Sequence, residues 1–167
     1  MAVLRDICNL TFTNRYIFRI MALKIIDHGS EQYRQMVKLR DDILRKPLGL
    51  IFTPDELEQE KDNVLIAAFE DDRILGCCML LEEEPGVMRL RQMAVLNDLQ
   101  GKGVGRALMN FAENIARDMG YRKIRMHARL NAIGFYEKVG YKKQGAEFME
   151  VTILHYVMEK KLSLPHY

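Results

Sequence analysis

The stretch MAVLNDLQGKGVGRALM, residues 93–109, constrains the fold more than any other: an apolar run, three glycines at alternate positions, then the opening of a helix. Beyond it, Val104, Ala107, Leu108, Phe111, Ala112, Ile115, Ala116 and Met119 keep the i, i+3, i+4 spacing without a break, and Gly120 closes the helix. Such a helix must bury its apolar stripe, and the strand-like residues before it belong to the sheet that covers it. A plain strand-to-helix turn needs one glycine, and each further one carries a conformational entropy cost. What uses all three is a backbone packed against an anion, with N–H groups pointing inward at a helix N-terminus. Lys102 and Arg106 add positive charge, and no acid lies between Gln100 and Met109. The spacing decides among phosphate sites. A P-loop is excluded because Lys102 is followed by Gly103 and not by Ser or Thr. A dinucleotide fingerprint has G-x-G-x-x-G near the first strand, whereas this G-x-G-x-G lies late in the chain. From spacing alone the segment is an anion cradle between a strand and a helix.

The rest of the chain supplies a sheet. A strand is expected over residues 23–27, then a helix capped by Ser30 with Tyr33, Met36, Val37, Arg40 and Leu44 on its stripe, ended by Pro47 and Gly49. A short helix follows at Pro54, capped by Thr53. Strands over residues 64–69, 74–81 and 87–96, joined by tight turns, form an antiparallel meander. After the long helix come a strand over residues 123–128, a short helix stopped by Gly140, and strands over residues 141–144 and 150–158. The expected class is α/β with a mixed sheet. Residues 1–20 read as an extension outside the fold, residues 21–162 as one domain, and residues 163–167 as a tail.

At 167 residues, 49% apolar and 29% charged, the chain has room for one globular domain. A net charge of +2 argues against nucleic acid as a partner. No apolar segment is long enough to span a membrane, and Arg5, Asp6, Asn9 and Arg15 interrupt any signal-peptide core, so a cytoplasmic location is expected. Cys77 and Cys78 lie in an apolar run and read as core residues. Nothing in the spacing points to a metal site.

The glycine segment resembles motif A of the GCN5-related N-acetyltransferase (GNAT) superfamily, with Ala94 and Val95 ending the strand and Gln100, Gly103 and Gly105 in the loop. IGFYEKVGYKKQG resembles motif B, with Tyr136 in the place of its tyrosine, and EFMEVTILHYVM with RDDILRKPLGL resembles a bacterial branch. The resemblance implies a GNAT fold, a mostly antiparallel twisted sheet of six or seven strands flanked by about four helices. It also implies an N-acetyltransferase that moves an acetyl group from acetyl-CoA to a primary amine of a small molecule or peptide by direct attack. A non-catalytic acyl-CoA sensor or interaction module is the alternative, and a homodimer through the C-terminal strands is expected.

Site roles follow from the same resemblance. Gln100, Gly101, Lys102, Gly103, Val104, Gly105 and Arg106 would hold the pyrophosphate, and Met93, Ala94 and Val95 the pantetheine arm. The Met93 N–H would steady the oxyanion. Tyr136 would touch the cofactor and act as general acid on the leaving thiolate. An asparagine often stands seven residues before that tyrosine; here Arg129 occupies the position and Asn131 follows, so both are assigned to the cofactor. Asn131 reads also as a helix N-cap. Glu150 or His155, with His127 behind them, is the candidate base, since the strand over residues 87–96 offers Arg89, Arg91 and Gln92 but no acid. Arg40 and Arg45 are assigned to the acceptor and would suit a carboxylate or phosphate on it.

Overall fold

The structure, a computed structural model, describes residues 20–163; Cys8, the expected extension up to residue 19 and most of the expected tail lie outside the described residues. Seven strands form one sheet in the order β1-β2-β3-β4-β5-β7-β6. β1 is Met21–Ile26, β2 Val64–Glu70, β3 Arg73–Glu84, β4 Val87–Val95, β5 Lys123–Arg129, β6 Lys142–Glu150 and β7 Ile153–Lys161. β2 to β4 form the expected antiparallel meander, β1 adds to it antiparallel beside β2, and among the described residues the one parallel pair is β4 with β5. Helix α1 is Glu31–Arg40, α2 Pro54–Glu58, α3 Val104–Asp118 and α4 Ile133–Lys138.

At β2 and β3 the sheet is buried on both faces, which is why these strands read as continuous apolar runs and not as alternating ones, whereas β6 at the edge is largely exposed. On one face α3 sets Val104, Leu108, Met109, Ala112 and Ala116 against Ile66, Leu80, Leu90 and Ile124. On the other, α1 sets Tyr33, Met36 and Leu39 against Leu65, Phe69 and Met79. Cys77 and Cys78 belong one to each layer, both fully buried and unpaired. Burial pushes the Cys77 thiol up to about 12 and raises that of Cys78, so neither is a nucleophile at neutral pH. α3 lies close on β3: a Cβ at Gly76 would sit 3.0 Å from both Leu108 Cδ1 and the Ala94 carbonyl oxygen.

Two elements differ from the sequence expectation. The helix capped by Ser30 does not run straight to Leu44; α1 ends at Arg40 and continues as a π turn, Asp41–Arg45, and a 3-10 turn, Lys46–Leu48, stopped by Gly49 at φ 70°. The wider turn brings Leu44 and Arg45 toward the β4–β5 opening, while Leu39, absent from the expected stripe, is buried. The last hairpin is also displaced. Glu150 ends β6 and does not begin β7, because the chain turns at Val151 and Thr152 with φ of 48° and 62°. β-branched residues disfavour that conformation, so neither residue signals a turn.

Candidate active site

β4 and β5 pair only at Val87 with Lys123, Met88 with Ile124, and Arg89 with Arg125; beyond Arg89 they part. A bulge in β4 accompanies the parting. Arg91 pairs with Met79 and Ala94 with Cys77, so Gln92 and Met93 together face Cys78, and Gln92 takes φ of 55°. Backbone groups of β4 from Leu90 onward therefore have no strand partner on the β5 side, as a ligand threading between the strands requires. The opening is a cleft of about 220 Å³ lined by Leu90 and Met93 of β4, Met126 and Ala128 of β5, and Tyr136 of α4.

At the end of β4 the glycine loop leads into α3. Gly101 and Gly103 take φ of 77° and 92°, a left-handed conformation that suits glycine, and Gly103 is the N-cap. The N–H groups of Val104, Gly105 and Arg106 have no hydrogen-bond partner among the described residues, no side chain caps the helix, and its first turn holds no acid. The cradle fits a diphosphate. Gly105 has a different reason to be glycine: a Cβ there would lie 3.1 Å from the ring of Phe135, so it lets α4 pack against the start of α3. The Gln100 side chain folds back and donates from Nε2 to the Val95 carbonyl at 3.3 Å and to Asn97 Oδ1 at 3.2 Å.

Tyr136 lines the cleft, is 6% exposed, and packs edge-on against Phe135 and Tyr141 at 5.0 and 6.1 Å between ring centres. Its hydroxyl makes no hydrogen bond among the described residues. Burial is the main cause of a raised phenol pKa, with Arg129 pulling weakly the other way. The group is therefore a protonated phenol at neutral pH, a donor and not a base.

The opposite wall gathers the candidate bases. His155 Nδ1 lies 2.8 Å from the Ile153 carbonyl, which can only accept, so Nδ1 carries the proton and Nε2 of the neutral ring is free to take one. Glu150 Oε2 stands 4.0 Å from that Nε2 and 3.2 Å from His127 Nδ1. Arg89 Nη2 donates to the same His127 Nδ1 at 2.7 Å, which fixes that nitrogen as an acceptor in the neutral ring. Glu150 then receives nothing from His127 and keeps its lone pairs for the cleft. Phe148 backs both rings, at 4.9 Å from His127 and 5.9 Å from His155. The sequence does not signal that Arg89 reaches His127, although the alternation of Arg125, His127 and Arg129 along β5 already put them on one face.

Of the arginines assigned to an acceptor, Arg45 lines the cleft and Arg40 does not. Arg40 is 0% exposed and donates from Nη2 to Glu60 at 2.9 Å, and the same carboxylate oxygen accepts from Tyr33 at 2.7 Å. A long side chain on an apolar face has here found an internal counter-ion. Arg45 pairs with Glu56 at 2.9 Å and stacks over Phe52 at 4.2 Å. Arg129, at the end of β5, lines the cleft and donates to the Leu44 carbonyl at 3.1 Å. Asn131 is exposed in the turn Leu130–Ala132 and does not cap α4, whose N-cap is Ala132.

The family profile described as Acetyltransferase (GNAT) domain matches residues 48–162. Two Bacillus subtilis (strain 168) relatives are similar. The uncharacterized protein YyaT is 32% identical over 75 residues, 45% of this chain and 51% of its own. The uncharacterized N-acetyltransferase YjcF is 26% identical over 139 residues, 81% of this chain and 97% of its own. The chain thus spans about half the length of the first curated relatives it matches. Among solved structures, a putative N-acetyltransferase from Lactobacillus plantarum superposes with a TM-score of 0.74 at 24% identity, over 85% of this chain and 99% of that one. The PaiA N-acetyltransferase of Thermoplasma acidophilum, in complex with coenzyme A, gives 0.66 at 18%, over 85% and 99%. A splayed β4–β5 pair, a glycine cradle at the start of α3 and a profile match over most of the chain carry one conclusion: the protein belongs to the GNAT acetyltransferase family.

Proposed function

We propose that the protein transfers an acetyl group from acetyl-CoA to a primary amine by direct attack. The observation that carries this is the convergence on one cleft of an unpaired β4 edge, a protonated tyrosine and a carboxylate with a proton-accepting histidine. In this reading the loop amides from Gly101 to Arg106 hold the pyrophosphate of the substrate, and Met93 and Val95 direct its pantetheine arm into the cleft. Glu150 receives the acceptor's ammonium and His155 Nε2 takes the proton, directly or through water. The free amine then forms its bond to the thioester carbon and the Met93 N–H steadies the oxyanion; as the C–S bond breaks, Tyr136 protonates the departing sulfur and its phenolate regains a proton from the new amide nitrogen, directly or through water. The coenzyme A complex of PaiA supports coenzyme A as the ligand of the cradle. Thiol release from acetyl-CoA, followed with an amine panel, tests the proposal. Turnover with at least one amine above thioester hydrolysis is expected. Micromolar CoA binding without turnover across the panel would make the protein an acyl-CoA-binding module instead.

A further inference from the structure

The walls of the cleft carry four arginines, Arg45, Arg89, Arg91 and Arg129, against a single carboxylate, Glu150. Arg89 is occupied by His127 and by Glu83 at 3.7 Å, and Arg45 is partly neutralised by Glu56. The other two have no carboxylate partner among the described residues. Arg91 is exposed and its guanidinium makes no ion pair there. Arg129 is half-buried, and its one hydrogen-bond partner among the described residues is the neutral Leu44 carbonyl. Burial first, and then the charge of Arg45, pull its pKa below the usual arginine value. A cation so placed gains from any anion brought between it and Arg45, and Phe52 already holds the plane of Arg45. On the neighbouring strand Arg129 pairs with His155, and Glu150 pairs with Ile153, two residues away along β7. Arg129 and Glu150 thus stand on the strands either side of β7, two strand spacings across and two residues along, so their backbones lie about 12 Å apart and their long side chains line one cleft from its two sides.

We propose that the acceptor is a small amine bearing a carboxylate or phosphate near the amine, with Arg45 and Arg129 holding the anion and Glu150 facing the ammonium. This rests on the acetyl-transfer reading and adds a substrate class to it. Polycationic amines are disfavoured by the same arginines.

Matched pairs test it: β-alanine against β-alaninamide, and O-phosphoethanolamine against ethanolamine, with spermidine as the cationic comparator. The anionic member of each pair is expected to have a kcat/KM about 100-fold higher, and in Arg129→Gln and Arg45→Gln the ratio falls toward unity. Arg129→Lys retains part of the preference, and calorimetric affinity for CoA and the melting temperature are unchanged in all three. Pairs within about threefold of each other in the wild type, or spermidine as the better substrate, overturn the assignment while leaving acetyl transfer standing. A Gln variant that weakens CoA and leaves the ratio intact overturns it too, by giving Arg129 to the cofactor. If no amine is acetylated, transfer fails, and calorimetry with O-phosphoethanolamine on the CoA-saturated protein decides the ligand class. Binding lost in Arg129→Gln keeps the class; no binding removes it.

Discussion

Tyr136 shows how environment sets a role. Burial against Phe135 and Tyr141 raises its pKa, so the phenol keeps its proton through the neutral range and has one to give. Tyr136→Phe is expected to lower kcat by about 100-fold with CoA affinity and melting temperature retained. The sign of the pH dependence follows from the raised pKa. The donor is present at every pH below it, so the kcat profile of the wild type has no alkaline fall from Tyr136 until above about pH 10. A loss between pH 8 and pH 9 that Tyr136→Phe abolishes would contradict this. Arg40 is the opposite case: the same long cationic side chain that suits a cleft is here sealed with Glu60 and Tyr33, an anchor between α1 and the turn after α2.

At the scale of elements, the β6–β7 hairpin pairs Glu150 with Ile153 and so brings its carboxylate to 4.0 Å from His155, through a turn of two β-branched residues at positive φ. That geometry favours Asn-Gly. Val151→Asn with Thr152→Gly is expected to stabilise the protein by about 1 kcal/mol, read as a higher melting temperature, because both native residues are strained there. An unchanged or lower melting temperature would mean that the strain is relieved elsewhere. The loop before α3 divides its glycines by cause: Gly101 and Gly103 serve backbone conformation, whereas Gly105 makes room for Phe135. The π turn after α1 is the third local device, since it brings Leu44 and Arg45 to the cleft from a helix that the stripe alone would have kept on the core.

Across the whole molecule, α3, α4 and β7 are joined by a buried carboxylate. Glu113 of α3, 3% exposed, accepts from Lys160 of β7 through both oxygens at 2.9 Å, from Arg117 at 3.3 Å and from Tyr141 at 3.2 Å. Lys160 donates also to the Val139 carbonyl at 2.9 Å, which ties down the end of α4 and with it Tyr136. Glu113→Ala leaves that ammonium without its anion, and a loss of about 3 kcal/mol is expected from denaturant unfolding. Adding Lys160→Met should recover part of it; a double variant less stable than Glu113→Ala would show that Lys160 acts mainly through Val139.

Much of this was legible in the chain. The α3 stripe, the glycine spacing and the meander are local patterns, set by periodicity and by backbone conformations open to few residues, so they need no knowledge of partners. An anion cradle at the start of α3 followed from them, and the family from the resemblance of residues 93–109 and 133–145 to known motifs; the sequence determined that much by itself. Which strands part, which arginine finds a carboxylate and which is left facing the cleft, and where the last hairpin turns are decided by contacts between residues far apart in the chain. Arg40 meets Glu60, Arg129 meets Leu44, and Arg89 meets His127 only once the sheet is assembled. An arginine reads alike in sequence whether or not the fold supplies its counter-ion, and only the tertiary structure tells the two apart.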